Sequence, residues 1–280
     1  MAEISYLQVT RDCNLRCIIC SNPPNKQELS VDQAKKEIDR FASKGYEGII
    51  LTGGEPTLYP ELPALIRYCI KKKIPPRIIT NGQRTADPDY LKSLRDAGLR
   101  HIHLSIYSCR PSVQAALTRN DDALENIKKS LKNFSVPGAF TINVNTVISS
   151  YNADHLSETV SWLVHDYPFI QHFVFNGLDP VMGRVMENPE VIPRLNDFEL
   201  ELHQALVILR DHKKTFRIES VPLCYLTDFE YASTETRKIV KNENRETIFL
   251  DQRGTFLEND WNYDKHKVCS FCRLNNICAG

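Results

Sequence analysis

Three cysteines, Cys13, Cys17 and Cys20, stand in the pattern C-x3-C-x2-C directly after an apolar-rich segment, Ile4–Thr10. Thiolates this close on one loop can each ligate one iron of a cubic iron–sulfur cluster, leaving the fourth iron without a protein ligand. A metal with an open position binds a substrate or cofactor directly. A fully ligated one holds structure or passes electrons. A zinc knuckle uses similar cysteines but is usually completed by a second Cys or His pair nearby. The first histidine here is His101, so no local fourth ligand is evident. Late in the chain come Cys224 and then Cys269, Cys272 and Cys278, the last three spaced C-x2-C-x5-C. Four thiolates suit one fully ligated cluster or a structural zinc. Of the remaining two, Cys69 reads as a small buried hydrophobe. Cys109 follows a predicted strand, where a thiol could serve as a hydrogen-atom donor.

Gly53-Gly54-Glu55-Pro56 follows a run, residues 46–52, suited to a buried parallel strand. Two glycines at a strand end let the backbone approach a ligand closely. Standing one strand–helix unit after the cysteine loop, this group and the triplet together resemble the radical S-adenosylmethionine (SAM) superfamily. Ile19 stands where that family usually has an aromatic. The resemblance implies that the open iron chelates the amino and carboxylate groups of SAM, and that one electron then releases a 5'-deoxyadenosyl radical. It also implies that Gly53, Gly54 and Glu55 contact the SAM amino group. Thr80-Asn81-Gly82 is similar to the family's TNG turn, making Thr80 a cofactor contact. Ser105 matches a position that bonds the cofactor's ribose or carboxylate, and Asn145-Thr146-Val147 resembles the strand-five pattern, adding Asn145. The tail resembles the SPASM auxiliary domain, whose full form has seven cysteines. The shortened form, twitch, matches better here, since one four-cysteine site is available. Two [4Fe-4S] clusters and SAM are the implied cofactors, with an electron donor such as flavodoxin or ferredoxin as a partner.

The elements that must position these groups are legible from periodicity. Strands are predicted at Ile4–Thr10 and at residues 46–52, 77–80, 101–107, 140–148 and 170–176. Helices are predicted at 31–44 with Ser30 as cap, and at 61–73, 87–97 with Gly98 as stop, 122–134 and 154–164. Six strand–helix units imply a parallel α/β sheet with helices outside, and the family's partial (β/α)6 TIM-like barrel matches that count. Chemistry then belongs at the C-terminal strand ends. On strand four, His101, His103, Ser105 and Tyr107 share one face, predicted to line the lumen by hydrogen bonding rather than as a metal pair. Tyr107 is a second candidate hydrogen-atom donor. Residues 1–178 are read as the barrel. Residues 179–280 are read as an α+β extension carrying the auxiliary site, with a long helix at 197–212 and a hairpin of residues 247–250 and 255–257.

The chain of 280 residues carries 35 Lys plus Arg and 35 Asp plus Glu. Zero formal charge argues against nucleic acid as a partner. No apolar run is long enough to span a membrane, and Met1-Ala2-Glu3 does not open a signal peptide. Nine cysteines without an export signal point to thiols or metal in a reducing cytoplasm. The substrate is open. SPASM and twitch proteins often mature ribosomally made peptides, which is the favoured reading; others act on sugars, nucleotides or cofactor precursors. The early first strand leaves no room for an N-terminal peptide-recognition domain. A silent zinc-bound scaffold is the contrasting reading.

Overall fold

The computed structural model describes residues 4–280. Residues 1–3, read above for a signal peptide, lie outside that range. Strands β1 (Ile4–Thr10), β2 (Gly48–Gly53), β3 (Pro76–Thr80), β4 (His101–Ser105), β5 (Thr141–Val147) and β6 (His172–Asn176) pair in sequence, each parallel to the next. Between them run α1 (Val31–Ser43), α2 (Leu62–Lys71), α3 (Pro88–Asp96), α4 (Pro111–Thr118) and α5 (Ala123–Phe134). Helix α6 (Leu156–Asp166) separates β5 from β6. The sequence reading missed α4, which starts on a proline and has only a weak apolar stripe.

Local chemistry accounts for the elements. Helix α1 starts in a capping box: Ser30 Oγ accepts the Gln33 N–H, and Gln33 Oε1 accepts the Ser30 N–H. Its Ala34, Ile38 and Phe41, at helical spacing, bury completely against the sheet. Each such aliphatic or aromatic side chain contributes about 1.5–3 kcal/mol. On β4, Ile102 and Leu104 are fully buried under the helices, while His101, His103 and Ser105 turn to the other face.

The strand–helix alternation runs one unit further than expected. Residue 178 does not end it, because α7 (Leu195–Asp211) leads into β7 (Thr215–Glu219), parallel to β6. Only Ile218 of β7 is fully buried, so its apolar signal was too thin to read as a strand. After α8 (Thr234–Lys241), β8 (Arg245–Ile248) joins the opposite side of the sheet parallel to β1, and β9 (Thr255–Glu258) turns back antiparallel at the edge. The predicted hairpin is therefore present, and it extends the barrel sheet itself. The sheet has nine strands in the order β7-β6-β5-β4-β3-β2-β1-β8-β9 and does not close by backbone pairing. Side chains cross the seam instead: Arg245 Nη2 of β8 lies 3.4 Å from Glu219 Oε1 of β7. Among the described residues, no helix is long and apolar enough to cross a membrane.

Candidate active site

The cysteine loop leaves β1 at the C-terminal edge of the sheet and packs on the end of β2. The Gly54 N–H donates to Thr10 O (2.8 Å) and the Glu55 N–H to Asp12 O (2.8 Å). Both glycines are sterically required. A Cβ on Gly53, whose φ is +149°, would meet Thr10 O at 1.8 Å, and one on Gly54 would meet Asp12 O at 2.2 Å. Gly183 does the same from the far side, since a Cβ there would meet Cys20 O at 2.2 Å.

Cys13, Cys17 and Cys20 are each partly buried and lie near enough to repel one another as thiolates. Burial, reinforced by that repulsion, pushes Cys13 up to about 11 and Cys17 up to about 12. Burial also raises Cys20. Backbone N–H groups point at two sulfurs: Leu15 to Cys13 Sγ at 3.4 Å, and Asn22 to Cys20. Arg184 is a nearby cation. Its N–H donates to Cys20 O and its Nη1 to Cys17 O (3.3 Å), and its charge favours all three thiolates. Three partly buried thiols, two with N–H···S donors, beside the guanidiniums of Arg184 and Arg11 suit iron, whose positive charge supplies what the protein leaves short. Ile18 and Ile19 bury behind the loop with Leu117, Val185 and Val191.

Glu55 is almost completely buried. Its Oε1 accepts from the Thr57 N–H (3.1 Å), Thr57 Oγ1 (2.6 Å) and Thr80 Oγ1 (2.7 Å), and its Oε2 accepts from the Asn81 N–H (2.7 Å). Burial raises its carboxyl above the ordinary value, and the four donors oppose that. Glu55 thus ties the Gly53-Gly54 end of β2 to the Thr80-Asn81 end of β3. Thr80 spends its hydroxyl on Glu55 and on the Gly82 N–H. Asn81, read from the sequence only as part of the TNG turn, reaches across to Asn14 Oδ1 (2.8 Å), with Cys13 Sγ 3.9 Å away. Its place between a strand end and a turn glycine was the available signal.

Tyr107 also faces this loop: it packs beside Cys17 and Ile18, and Ser105 is its hydrogen-bond neighbour. Burial first, then the three cysteines, drive its phenol well above the ordinary value. Cys109 is elsewhere. Its thiol lies 3.5 Å from Glu158 Oε1 and its N–H bonds Thr159 Oγ1, both on α6. Asn145 lies deeper in the lumen, lining a cavity of about 440 Å³ with Asn143 and His103. His101 and His103 share the same face of β4.

Cys224, Cys269, Cys272 and Cys278 all line a second, smaller cavity of about 80 Å³ with Leu223 and Leu274. Burial raises the Cys224 thiol, followed by repulsion from Cys278, Cys269 and Cys272. The predicted quartet is therefore brought together around one cavity.

The Radical SAM superfamily model matches residues 7–163, which hold the cysteine loop, the Gly53-Gly54-Glu55 turn, Thr80, Ser105 and Asn145. The chain belongs to the radical SAM superfamily. Among curated proteins it is 35% identical over 167 residues to the GTP 3',8-cyclase of Tolumonas auensis, covering 56% of this chain and 48% of that one. It is 27% identical over 226 residues to the AdoMet-dependent heme synthase of Methanosarcina barkeri, covering 77% and 61%. This radical SAM chain thus spans about half to three-fifths of the length of those relatives. Among solved structures, Streptococcus suis SuiB bound to the precursor peptide SuiA superposes with a TM-score of 0.71 at 16% identity, over 100% of this chain and 71% of that one. The enzyme anSMEcpe with AdoMet and the Kp18Cys peptide gives 0.72 at 14% identity, over 99% and 88%. Both share the open parallel α/β sheet. In this radical SAM chain, the thiols of Cys13, Cys17 and Cys20 are the groups that suit the [4Fe-4S] cluster.

Proposed function

We propose that this radical SAM enzyme cleaves SAM reductively and uses the adenosyl radical to remove a hydrogen atom from a small molecule. The observation that carries the reading is the packing of the Cys13–Cys17–Cys20 loop on Gly53 and Gly54. A [4Fe-4S] cluster bound there supplies the electron that splits SAM into methionine and the 5'-deoxyadenosyl radical. Gly53 and Gly54 let the strand end carry a ligand close to the cysteines, and Glu55 fixes that edge against Thr80 and Asn81. Ser105 and Asn145 offer hydrogen bonds further into the lumen. Tyr107, buried against the cysteine loop, is better placed than Cys109 to return a hydrogen atom.

Residues 179–280 would carry the auxiliary site. Cys224, Cys269, Cys272 and Cys278 line one cavity, and four thiolates there suit a second [4Fe-4S] cluster, with an electron donor such as flavodoxin or ferredoxin as partner. The small-molecule reading rests on relatives named for GTP and heme. Peptide maturation, the reading that the sequence favoured, is the second, supported by neighbours solved with bound peptides. Anaerobic reconstitution followed by dithionite reduction tests the core of the proposal. Formation of 5'-deoxyadenosine that is lost in the Cys13/Cys17/Cys20→Ala variant is expected; its absence from wild-type protein carrying a full cluster would overturn it.

A further inference from the structure

The lumen has an unbalanced charge. The cavity of about 440 Å³ is lined by Arg77 on β3, Arg217 on β7 and Arg245 on β8, and by one carboxylate, Glu219. Glu219 is taken: it pairs with Arg245, which also faces Glu258. Arg77 and Arg217 make no side-chain hydrogen bond or ion pair with any described residue, and Arg77 Nε is buried without a partner. Tyr6 on β1, with Arg245 over its ring at 5.6 Å, lines the same cavity within electrostatic reach of Arg77 and Arg217, and its hydroxyl makes no hydrogen bond among the described residues. His103 and Asn145, on the same lining, are hydrogen-bond neighbours of each other.

Buried polar atoms are normally satisfied, so the stranded Nε of Arg77 is costly unless an anion completes it, while Arg217 is exposed and open to a ligand. Arg is the side chain best matched to planar or tetrahedral oxyanions, through its fork of donors. A volume of this size holds a small molecule. Depth also matters. Arg77 starts β3 and Arg217 is mid-β7, whereas the cysteine loop sits at the opposite, C-terminal ends of the strands. A ligand gripped at the lumen floor would present its other end upward.

Resting on the radical SAM reading above, we propose that the substrate is a small molecule whose phosphate or carboxylate group is gripped by Arg77 and Arg217, with Tyr6 donating a third hydrogen bond. Its reacting carbon then points toward the cysteine loop. Inorganic pyrophosphate and succinate serve as probes of the two chemistries. They are titrated into the reconstituted full chain with SAM, at constant ionic strength, and followed by melting temperature. One of them is expected to saturate, with at least tenfold weaker binding in Arg77→Met and in Arg217→Met and no change in the surface control Lys128→Met. Unliganded Arg77→Met is expected to melt no lower than wild type, since it loses an unpaired charge. A shift from neither probe beyond sodium chloride would overturn the proposal. So would equal binding by the Arg77→Met/Arg217→Met double variant, or a large fall in the unliganded melting temperature. Dithionite-driven 5'-deoxyadenosine release, measured on the same samples, reports the radical reading separately. Anion binding without release sinks that reading alone, and release without anion binding sinks this one alone.

Discussion

At the scale of single residues, glycine, carboxylate and imidazole each show what the fold demands. Gly54 carries no side chain because Asp12 O occupies the space, so Gly54→Ala pushes the cysteine loop off β2. A loss of about 2–3 kcal/mol in urea unfolding is expected, together with a lower iron yield on reconstitution. The lumen histidines set a pH dependence. Burial, then the Arg77 charge, lowers His103 to about 3, and burial, then Arg217, lowers His172 to about 4. An unfolded histidine titrates near 6.5, so below that pH the unfolded chain binds more protons than the folded one. Stability is therefore intact above about pH 6.5 and falls as pH drops toward 4, by up to about tenfold in the unfolding constant per pH unit for each histidine. Unfolding curves between pH 7.5 and 4.5 should show this slope, flattened in His103→Asn/His172→Asn. The cysteines and the paired glycines were legible in the sequence because their types and spacing carry the chemistry directly. Glu55's cage and the reach of Asn81 were not, since both depend on strand ends that only the sheet brings together.

At the scale of elements, the β8–β9 hairpin does more than end the sheet. Arg11, just before the cysteine loop and almost fully buried, donates to Asp251 in the hairpin turn at 2.7 Å and to Pro23 O. Asp251 is gripped by Arg253 and then by Arg11, which hold its carboxyl far below the ordinary value. Asn25 donates to Leu250 O, and the Leu250 N–H donates to Gln8 Oε1. The hairpin thereby clamps the base of the loop that carries the three thiols. Asp251→Ala should cost about 3–5 kcal/mol by stranding Arg11, while the paired change Arg11→Met/Asp251→Leu should cost far less. A double-mutant cycle by chemical denaturation checks this, and equal losses in both variants would refute the clamp. The hairpin itself was readable from its alternation and its Asp-Gln-Arg-Gly turn. Its pairing with β1 was not, because parallel pairing between strands more than two hundred residues apart leaves no local mark.

At the scale of the whole molecule, two sets of thiols sit on one continuous sheet and its C-terminal extension. If both hold cubane clusters, about eight irons per chain are expected. About four should remain in Cys13/Cys17/Cys20→Ala, and about four in Cys269/Cys272/Cys278→Ala, by iron and sulfide assay with electron paramagnetic resonance. An iron content in the second variant equal to that of wild type would leave the tail without a cluster. The parallel α/β class and the six strand–helix units were legible because each buried strand is a short apolar run followed by an amphipathic helix. The charged lumen was less so: Arg77, Arg217 and Arg245 lie far apart in sequence and meet only when the strands curl. The clamp between Arg11 and Asp251 also has a temporal meaning. The two residues are 240 positions apart, and ribosomes add about 5–20 residues each second. Cys13, Cys17 and Cys20 are therefore made roughly 10–50 s before the turn that secures their loop leaves the ribosome. During that interval the nascent thiols meet oxygen and stray metals unclamped, so delivery of the correct cluster has to follow the synthesis of the hairpin.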